Sequence, residues 1–381
     1  MSAIPTPNPR LDVLLGTTSF PLDAADWKGR FIHDLAAALD RTGQVGVTLW
    51  GPPGELPGRV TSANSDSDTR WLQRMADEGG IAHLLRRRPV NGLVRAAGVL
   101  TRLRAACRRR QVDVYHVNWL QLALALPADR RPAYVAVLGS DFGLLRVPGM
   151  AGLLRRAFAR RQTLLAPNAH WMSAPLAAQF EGVAEVRTNP FGVAPGWFEV
   201  KRSPATHREW LVVSRITRNK MGDLFDWGRD LFSAGRRLRL LGPMQEQVAL
   251  PEWIDYEGPT NPTALREHWF PRAAGLLTLS RHDEGRPQVM IEAMAAGLPV
   301  VASRIAAHAD LIRDGETGWL VDDRRQLQQA LDRAESTTVA DEVGARARTA
   351  IRKEIGTWDD HAARCLSAYH DLLARESRHA A

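Results

Sequence analysis

The stretch that most constrains the fold lies between residues 275 and 303. It opens on the apolar run Gly275-Leu276-Leu277-Thr278-Leu279, passes through a polar loop at 281–286 and reaches Pro287. Such a run is short for a helix and too uniform for a half-exposed strand, so it reads as a buried parallel strand. Pro287 suits the first helical position, where its missing N–H would be unpaired anyway. Beyond it Ile291, Met294, Ala295 and Leu298 fall on one helical stripe, and Gly297 offers the left-handed exit that ends many helices. Leu298-Pro299-Val300-Val301-Ala302 then reads as the next buried strand. A strand–loop–helix–strand unit of this kind belongs to an α/β fold with a parallel sheet.

Two carboxylates in this unit sit where a core has no use for them. Glu284 lies in the loop beyond the strand's carboxyl end, the place where open α/β sheets bind ligands. Glu292 comes two turns into the helix, about 100° from the apolar stripe. The free N–H groups and dipole of a helix start suit a phosphate. A carboxylate beside that phosphate would repel it, so carboxylates here suit hydroxyl groups. The combination points to a sugar phosphate or a nucleotide sugar. On this stretch alone a plainer pair of roles stays open: Glu284 as a helix cap and Glu292 as part of a solvated face.

The chain has 381 residues, enough for two ordinary domains, and 45% hydrophobic with 24% charged residues describes a globular protein. Its two cysteines, Cys107 and Cys365, support neither a disulfide framework nor a cysteine-based metal site, and a reducing cytoplasm is the expected location. The first ten residues lack the basic start and apolar core of a signal peptide. No run of about eighteen apolar residues occurs to span a membrane. The net charge of +8 is uneven. Residues 1–195 hold 24 Lys+Arg against 15 Asp+Glu, a net of +9, and the remainder holds 26 against 27, a net of −1. Lys28 is the only lysine of the first half. An arginine-rich half points to an anionic partner such as a membrane surface, a nucleic acid or an acidic substrate; a compositional taste for arginine is the alternative.

In chain order, residues 11–17 and 45–50 read as strands around a helix at 30–41, and 55–80 as irregular excursion loops. Residues 81–110 are helical in character and strongly basic, with Arg86-Arg87-Arg88 and Arg108-Arg109-Arg110 at the two ends. Leu93, Val94, Ala97, Leu100 and Leu103 give this segment an apolar stripe. Such a helix can lie on an anionic bilayer; packing on its own sheet, arginines in water, is the expected arrangement. Strands follow at 112–117, 134–138 and 164–168, and their ends carry His116, Asn118, Ser140 and Asp141 towards a common edge. A turn-rich linker is expected from 189 to about 207. The α/β rhythm restarts with strands at 210–213, 238–241, 254–256 and 319–321, and helices at 326–334, 341–354 and 358–373.

Glu284, seven residues of which Gly285 is the first, and then Glu292-Ala293-Met294-Ala295-Ala296-Gly297-Leu298-Pro299-Val300-Val301 resemble the E-x7-E signature of the retaining glycosyltransferases of family 4. Val213-Ser214-Arg215 with Lys220-Met221-Gly222, Asp314-Gly315 with Thr317-Gly318, and Trp358 with Tyr369 are similar to further segments of that family. The resemblance covers nearly the whole chain, strongly over 210–322 and loosely before about 190. It implies the GT-B fold: two doubly wound Rossmann-like domains facing a cleft, with the C-terminal helix returning to the first. The implied boundaries are 1–195 for an acceptor domain, 206–357 for a nucleotide-sugar domain and 358–381 for the returning helix.

The same resemblance implies that Arg215 and Lys220 hold the donor diphosphate, whose charge two cations at a strand end would offset. Glu284 would accept from donor-sugar hydroxyls and Glu292 from the ribose. Backbone N–H groups around Gly285, Arg286, Pro287 and Gln288 would add contacts. No metal or other cofactor is implied, and no Asp-x-Asp pair is placed to bind one. The first domain departs from the family pattern. It has a single Gly29 beside Lys28 where Gly-Gly is common, and Asn118 and Leu138 where histidines are common. His116 is the candidate for the acceptor-side catalytic role and Asp141 the second, with Lys28, Gly29, Asn118 and Ser140 on the acceptor or phosphate side.

The function expected on these grounds is hexose transfer with retention from a nucleotide diphosphate sugar to a sugar or lipid-linked acceptor, in cell-envelope or exopolysaccharide assembly. A cytoplasmic enzyme at the inner membrane face would fit, and no nucleic acid is expected. The alternatives are a sugar-nucleotide epimerase of the same architecture and a non-catalytic GT-B protein that binds anionic membrane.

Overall fold

Each domain of the chain is built on a parallel sheet whose central strands are mostly apolar runs buried on both faces. A computed structural model describes residues 10–24, 26–81, 84–85, 89–203, 208–233, 235–282 and 284–380. The chain divides into two units, Met1–Pro190 with Trp358–Ala381, and Phe191–Thr357.

In the first unit β1 (Leu11–Gly16), β2 (Val45–Trp50), β3 (Thr61–Ser62), β4 (Val114–Asn118), β5 (Ala133–Val137), β6 (Thr163–Pro167) and β7 (Glu185–Val186) pair in the order β3-β2-β1-β4-β5-β6-β7. Every pairing is parallel. One face is covered by α2 (Asp66–Asp77), α3 (Pro89–Arg109), α4 (Met150–Phe158) and α5 (Ser173–Phe180), whose Leu72, Leu103, Phe158 and Phe180 join Leu14, Tyr115 and Val135 in one core. On α1 (Arg30–Arg41) packs the last helix, α12 (Trp358–Ala380). Polar bonds fix α12 in place. His361 Nδ1 and Arg364 reach the Pro190 carbonyl at 2.8 and 2.9 Å, and the Tyr369 hydroxyl lies 2.6 Å from His116 Nδ1.

The second unit has β8 (Arg208–Val213), β9 (Arg236–Leu241), β10 (Ile254–Gly258), β11 (Gly275–Thr278), β12 (Val300–Ser303) and β13 (Trp319–Val321) in the order β10-β9-β8-β11-β12-β13, again all parallel. Its helices include α6 (Arg218–Met221), α7 (Leu224–Trp227), α8 (Gln288–Ala295), α9 (Ala306–Ala309), α10 (Arg324–Ala334) and α11 (Thr337–Glu354). α8 and α11 pack in one core with Leu211 and Leu276, while Met221, Leu224, Leu327 and Leu331 pack in a second with Trp210 and Leu277. Gly297, at φ +70°, ends α8 as its pattern predicts, with the Leu298 N–H on the Ala293 carbonyl at 2.9 Å.

Both sheets are doubly wound, and in each the order reverses once, between β1 and β4 and between β8 and β11. A crevice opens at such a reversal because the two flanking loops leave for opposite faces, and ligands bind there. Two expectations need correction. The turn-rich segment after Pro190 is no linker, since Val193, Trp197 and Phe198 are buried with Leu211, Phe270 and Met290 of the second unit. The first boundary therefore falls at Pro190 and not at 195. The excursion at 55–80 contains a helix, α2, started by a capping box in which Ser65 and Asp68 satisfy each other's backbone N–H. The triplet Arg86-Arg87-Arg88 lies outside the described residues. Among the described residues no helix is long and apolar enough to cross a membrane.

Candidate active site

The loops after β8 and β11 flank the reversal of the second sheet. After β8 the chain turns through Ser214-Arg215-Ile216 into α6, where the Thr217 hydroxyl caps the helix by accepting from the Lys220 backbone N–H at 3.2 Å. Gly222 follows α6 at φ +53°, and a Cβ there would stand 1.9 Å from the Leu279 carbonyl oxygen. Glycine is thus what lets this turn press against the chain leaving β11. The contact is fastened by the Arg281 N–H on the Asn219 carbonyl at 2.9 Å and by an Arg281–Asp223 ion pair.

Through that contact Lys220 meets Glu284, 64 residues away, in an ion pair between the ammonium and Oε1. The Ser280 hydroxyl donates to the same oxygen at 3.4 Å. Burial alone would raise the Glu284 carboxyl, but Lys220 outweighs it and holds the group below the usual carboxylate range. Burial draws the Lys220 ammonium down, Glu284 opposes this, and the charge of Arg215 adds to the lowering. Arg215 therefore stands within electrostatic reach of Lys220.

α8 begins at Gln288 with Pro287 itself as the cap residue, so Glu284 does not hold the cap position. Glu292 is half-buried one turn further along α8. The Gln288 amide donates to the Gly192 carbonyl at 3.0 Å, leaving its Oε1 buried without a protein partner. Gly285 is buried in the loop. Arg286 differs from expectation: its side chain, 4% exposed, forms an ion pair with Asp310, 6% exposed. That cation is matched inside the unit and ties the Glu284 loop to the end of α9.

One residue of this neighbourhood escaped the sequence reading. His308 on α9 is completely buried, with Nδ1 on the Ser303 carbonyl at 2.8 Å and no protein partner at Nε2. Burial keeps it neutral by lowering its pKa, against a raising influence from Glu284. The Ser303 hydroxyl in turn donates to the Ser280 carbonyl at 2.7 Å, so β12 braces the loop that carries Glu284. The available signal was a lone histidine just past a strand, in Ile305-Ala306-Ala307-His308.

The first unit places its candidates less uniformly. His116 is not at a strand end: it is the third residue of β4, in register with Leu15 and Tyr134, and fully buried. Its ring lies 4.4 Å from that of Tyr134, and burial with the nearby His361 pushes its pKa down to about 3. This is a core histidine, neutral at ordinary pH and enclosed from any acceptor. Asn118 does end β4, and its side-chain nitrogen and oxygen are buried with no protein partner. Asp141 is held by the N–H groups of Leu120 and Leu138, each at 2.9 Å. Burial pushes its carboxyl up to about 6 against those donors. Ser140 and Lys28 are exposed. Gly29 begins α1 at φ +66°, where a Cβ would stand 2.6 Å from the Ser19 carbonyl carbon. Among the described residues no group of three or more His, Cys, Asp or Glu is placed to hold a metal ion.

Two doubly wound units, with the last helix in the first of them, define the GT-B fold of glycosyltransferases. Sucrose-phosphate synthase from Thermosynechococcus elongatus superposes with a TM-score of 0.71 at 16% identity, over 96% of this chain and all of that one. The Anabaena protein HepE in complex with UDP-glucose superposes with a TM-score of 0.62 at 16% identity, over 94% of this chain and all of that one. Within the second unit, residues 235–336 match the family model described as Glycosyl transferases group 1. A D-inositol 3-phosphate glycosyltransferase from Acidothermus cellulolyticus is 34% identical over 142 residues, which is 36% of this chain and 30% of the relative. The alignments to such curated relatives span about three tenths of the relatives' length.

Proposed function

We propose that the protein is a retaining glycosyltransferase that moves a hexose from a nucleotide diphosphate sugar to an acceptor hydroxyl, in cell-envelope or exopolysaccharide assembly. The observation that carries this reading is the Lys220–Glu284 ion pair at the reversal of the second sheet, ahead of α8 and beside Arg215. Cations and a carboxylate meeting at one sheet edge suit a ligand that is anionic at one end and hydroxylated at the other. Arg215 and Lys220 hold the diphosphate, with backbone N–H groups of the 285–288 loop beside them. Glu284 accepts from sugar hydroxyls and Glu292 from the ribose.

In this reading the bond from the sugar's anomeric carbon to the diphosphate oxygen breaks, and its electron pair stays on the diphosphate. The acceptor oxygen bonds to the same carbon on the same face, and the acceptor proton passes to the departing phosphate oxygen. Cations fixed at the diphosphate stabilise the charge that develops there, which is where most of the rate comes from. Asp141, Asn118 and Ser140, with Lys28 and Gly29, are proposed for the acceptor side; Arg286 leaves the set because Asp310 takes up its charge, and His116 because its ring is fully buried in the core with Nδ1 on Tyr369.

The test is a panel of UDP-, GDP-, ADP- and dTDP-sugars, read by thermal stabilisation and by slow donor hydrolysis. One donor stabilises the wild type, and Glu284→Ala loses the response. No response to any donor, with Glu284→Ala indistinguishable from wild type, overturns the reading. A product that keeps its nucleotide linkage would assign an epimerase instead.

A further inference from the structure

Among the described residues two that are not glycine stand on backbone of positive φ, Asp230 at +63° and Trp119 at +74°. Aspartate visits the left-handed well readily. Trp119 does not even occupy that well, because its ψ of 136° lies far from the values of about 30–60° that define it. This is backbone that glycine alone enters freely, and a bulky residue stays there only where its surroundings enforce it.

The enforcing bonds fall on both sides of Trp119. Its own N–H donates to the carbonyl of Ala136 in β5 at 2.9 Å. The next N–H, of Leu120, donates to the Asp141 carboxylate at 2.9 Å, and the other oxygen of that carboxylate accepts from the Leu138 N–H at 2.9 Å. The turn after β4 is thus pinned by the neighbouring strand and by the loop that follows it.

A tryptophan kept for packing alone would gain by relaxing, and a glycine at 119 would ease the turn. What the strain secures is the place of the indole. β4 flanks the reversal of strand order in the first sheet, so Trp119 stands at the carboxyl edge where a crevice opens. Its ring is half-buried against the core of the unit, with the ring of Phe31, from the first turn of α1, edge-on at 6.3 Å. Further along the same edge, Phe142 after β5 and Trp171 after β6 form a second edge-on pair at 5.4 Å, also half-buried.

The polar groups of the turn complement these rings. Asn118, one residue earlier, has both amide atoms buried without a protein partner. A donor and an acceptor left so in the interior are costly unless a guest or water completes them. An aromatic ring next to an amide with both hydrogen-bonding senses open suits the C–H face and the hydroxyl rim of a sugar. Asp141 is ionised at neutral pH, although burial raises it to about 6, and its charge disfavours an anionic group at this turn.

We infer that Trp119 is the platform on which an uncharged pyranose ring binds to the first unit, with the Asn118 amide hydrogen-bonding its hydroxyl groups. The acceptor is then a saccharide whose bound ring carries no phosphate. Its role as acceptor rests on the transferase reading; the binding itself does not.

The test is saturation-transfer NMR on the full chain without donor. The probes are the methyl pyranosides of glucose, galactose and mannose, beside the 6-phosphates of the same sugars. At least one methyl pyranoside binds, with saturation concentrated on the C–H protons of one ring face, and its 6-phosphate binds about tenfold more weakly or worse. Trp119→Phe keeps a ring and retains binding. Trp119→Gly suits the backbone, stays folded and loses about tenfold or more. Asn118→Ala breaks no bond printed within the protein, so thermal stability holds while binding falls about threefold or more, the worth of a neutral hydrogen bond. Should Trp119→Gly not fold, Asn118→Ala decides. Unchanged binding in Trp119→Gly or in Asn118→Ala, preference for the phosphates, or no binding of any pyranoside overturns the inference. Donor-induced thermal stabilisation of the wild type separates it from the transferase reading. A response to a donor and to no saccharide overturns this inference alone, and saccharide binding with no donor response overturns that reading alone.

Discussion

Replacing Glu284 by Gln tests the donor-site geometry before any substrate is known. The Lys220 and Glu284 side chains are 14 and 15% exposed, so the variant leaves an ammonium with little water and no counter-charge. Removing one partner of a buried pair costs about 3–5 kcal/mol. The remaining exposure and a glutamine oxygen still able to accept place the loss at the lower end, about 3 kcal/mol. The pH dependence has a definite sign. Because Lys220 holds the folded-state carboxyl below its ordinary value, the pair's contribution is present above the unfolded value of about 4.3 and is lost as pH falls through the folded one. Urea denaturation followed by tryptophan fluorescence, extrapolated linearly, reads the difference. The deficit of Glu284→Gln is largest near neutral pH and shrinks in acid. Lys220→Met shows a comparable deficit, and the double variant recovers much of it because no unpaired charge remains. A neutral-pH deficit under about 1 kcal/mol, or the same deficit in acid, refutes the reasoning.

Three further outcomes are expected. Arg215→Ala and Lys220→Ala each weaken binding of the cognate nucleoside diphosphate by about 10- to 150-fold, the loss of one charged hydrogen bond, while nucleoside binding stays unchanged in calorimetry. Gly222→Ala lowers stability by about 3 kcal/mol in thermal denaturation, from its left-handed φ and the 1.9 Å approach to the Leu279 oxygen, and donor binding falls with it. The folded-state pKa values of His116 and His361 are pushed down to about 3 by burial, so the unfolded chain takes up their protons first and stability falls as pH drops below about 6.5. His116→Gln reduces that acid slope by about 1.4 kcal/mol per pH unit, and an unchanged slope would show that His116 is not a buried neutral histidine.

The second unit was readable in the chain because its signals are local. The stripe Ile291, Met294, Ala295, the glycine exit and the two flanking apolar runs each lie within one helical or strand repeat, and they return as α8, β11 and β12. What local pattern does not carry is pairing. Nothing near Glu284 says that Lys220 is its partner; that follows from β8 lying next to β11, an order set by the packing of the whole sheet. Arg286 illustrates the same point in reverse. Beside a helix start it looks like a phosphate ligand, yet Asp310, 24 residues on, takes up its charge in the interior. α2 was legible and passed over: Ser65 and Asp68 spell a capping box, and Trp71, Leu72 and Met75 supply an apolar face.

His116 was out of reach for a different reason. In a strand buried on both faces, alternation gives no hint of which side a polar residue takes, so a histidine two positions from the end looks poised at the edge. Its partner decides the matter, and that partner is Tyr369 on α12, 253 residues away. A helix that closes the chain thus completes the core of the unit that opened it, and the tyrosine hydroxyl satisfies one nitrogen of the ring. The polar groups left at the true edge are Asn118, unpartnered at both side-chain atoms, and Asp141, held by two backbone N–H groups. The amide is uncharged, and burial raises the carboxyl to about 6 against the backbone donors that hold it. In the proposed reading the first unit therefore suits an acceptor met through hydroxyl groups, while the cations for phosphate lie in the second unit at Arg215 and Lys220.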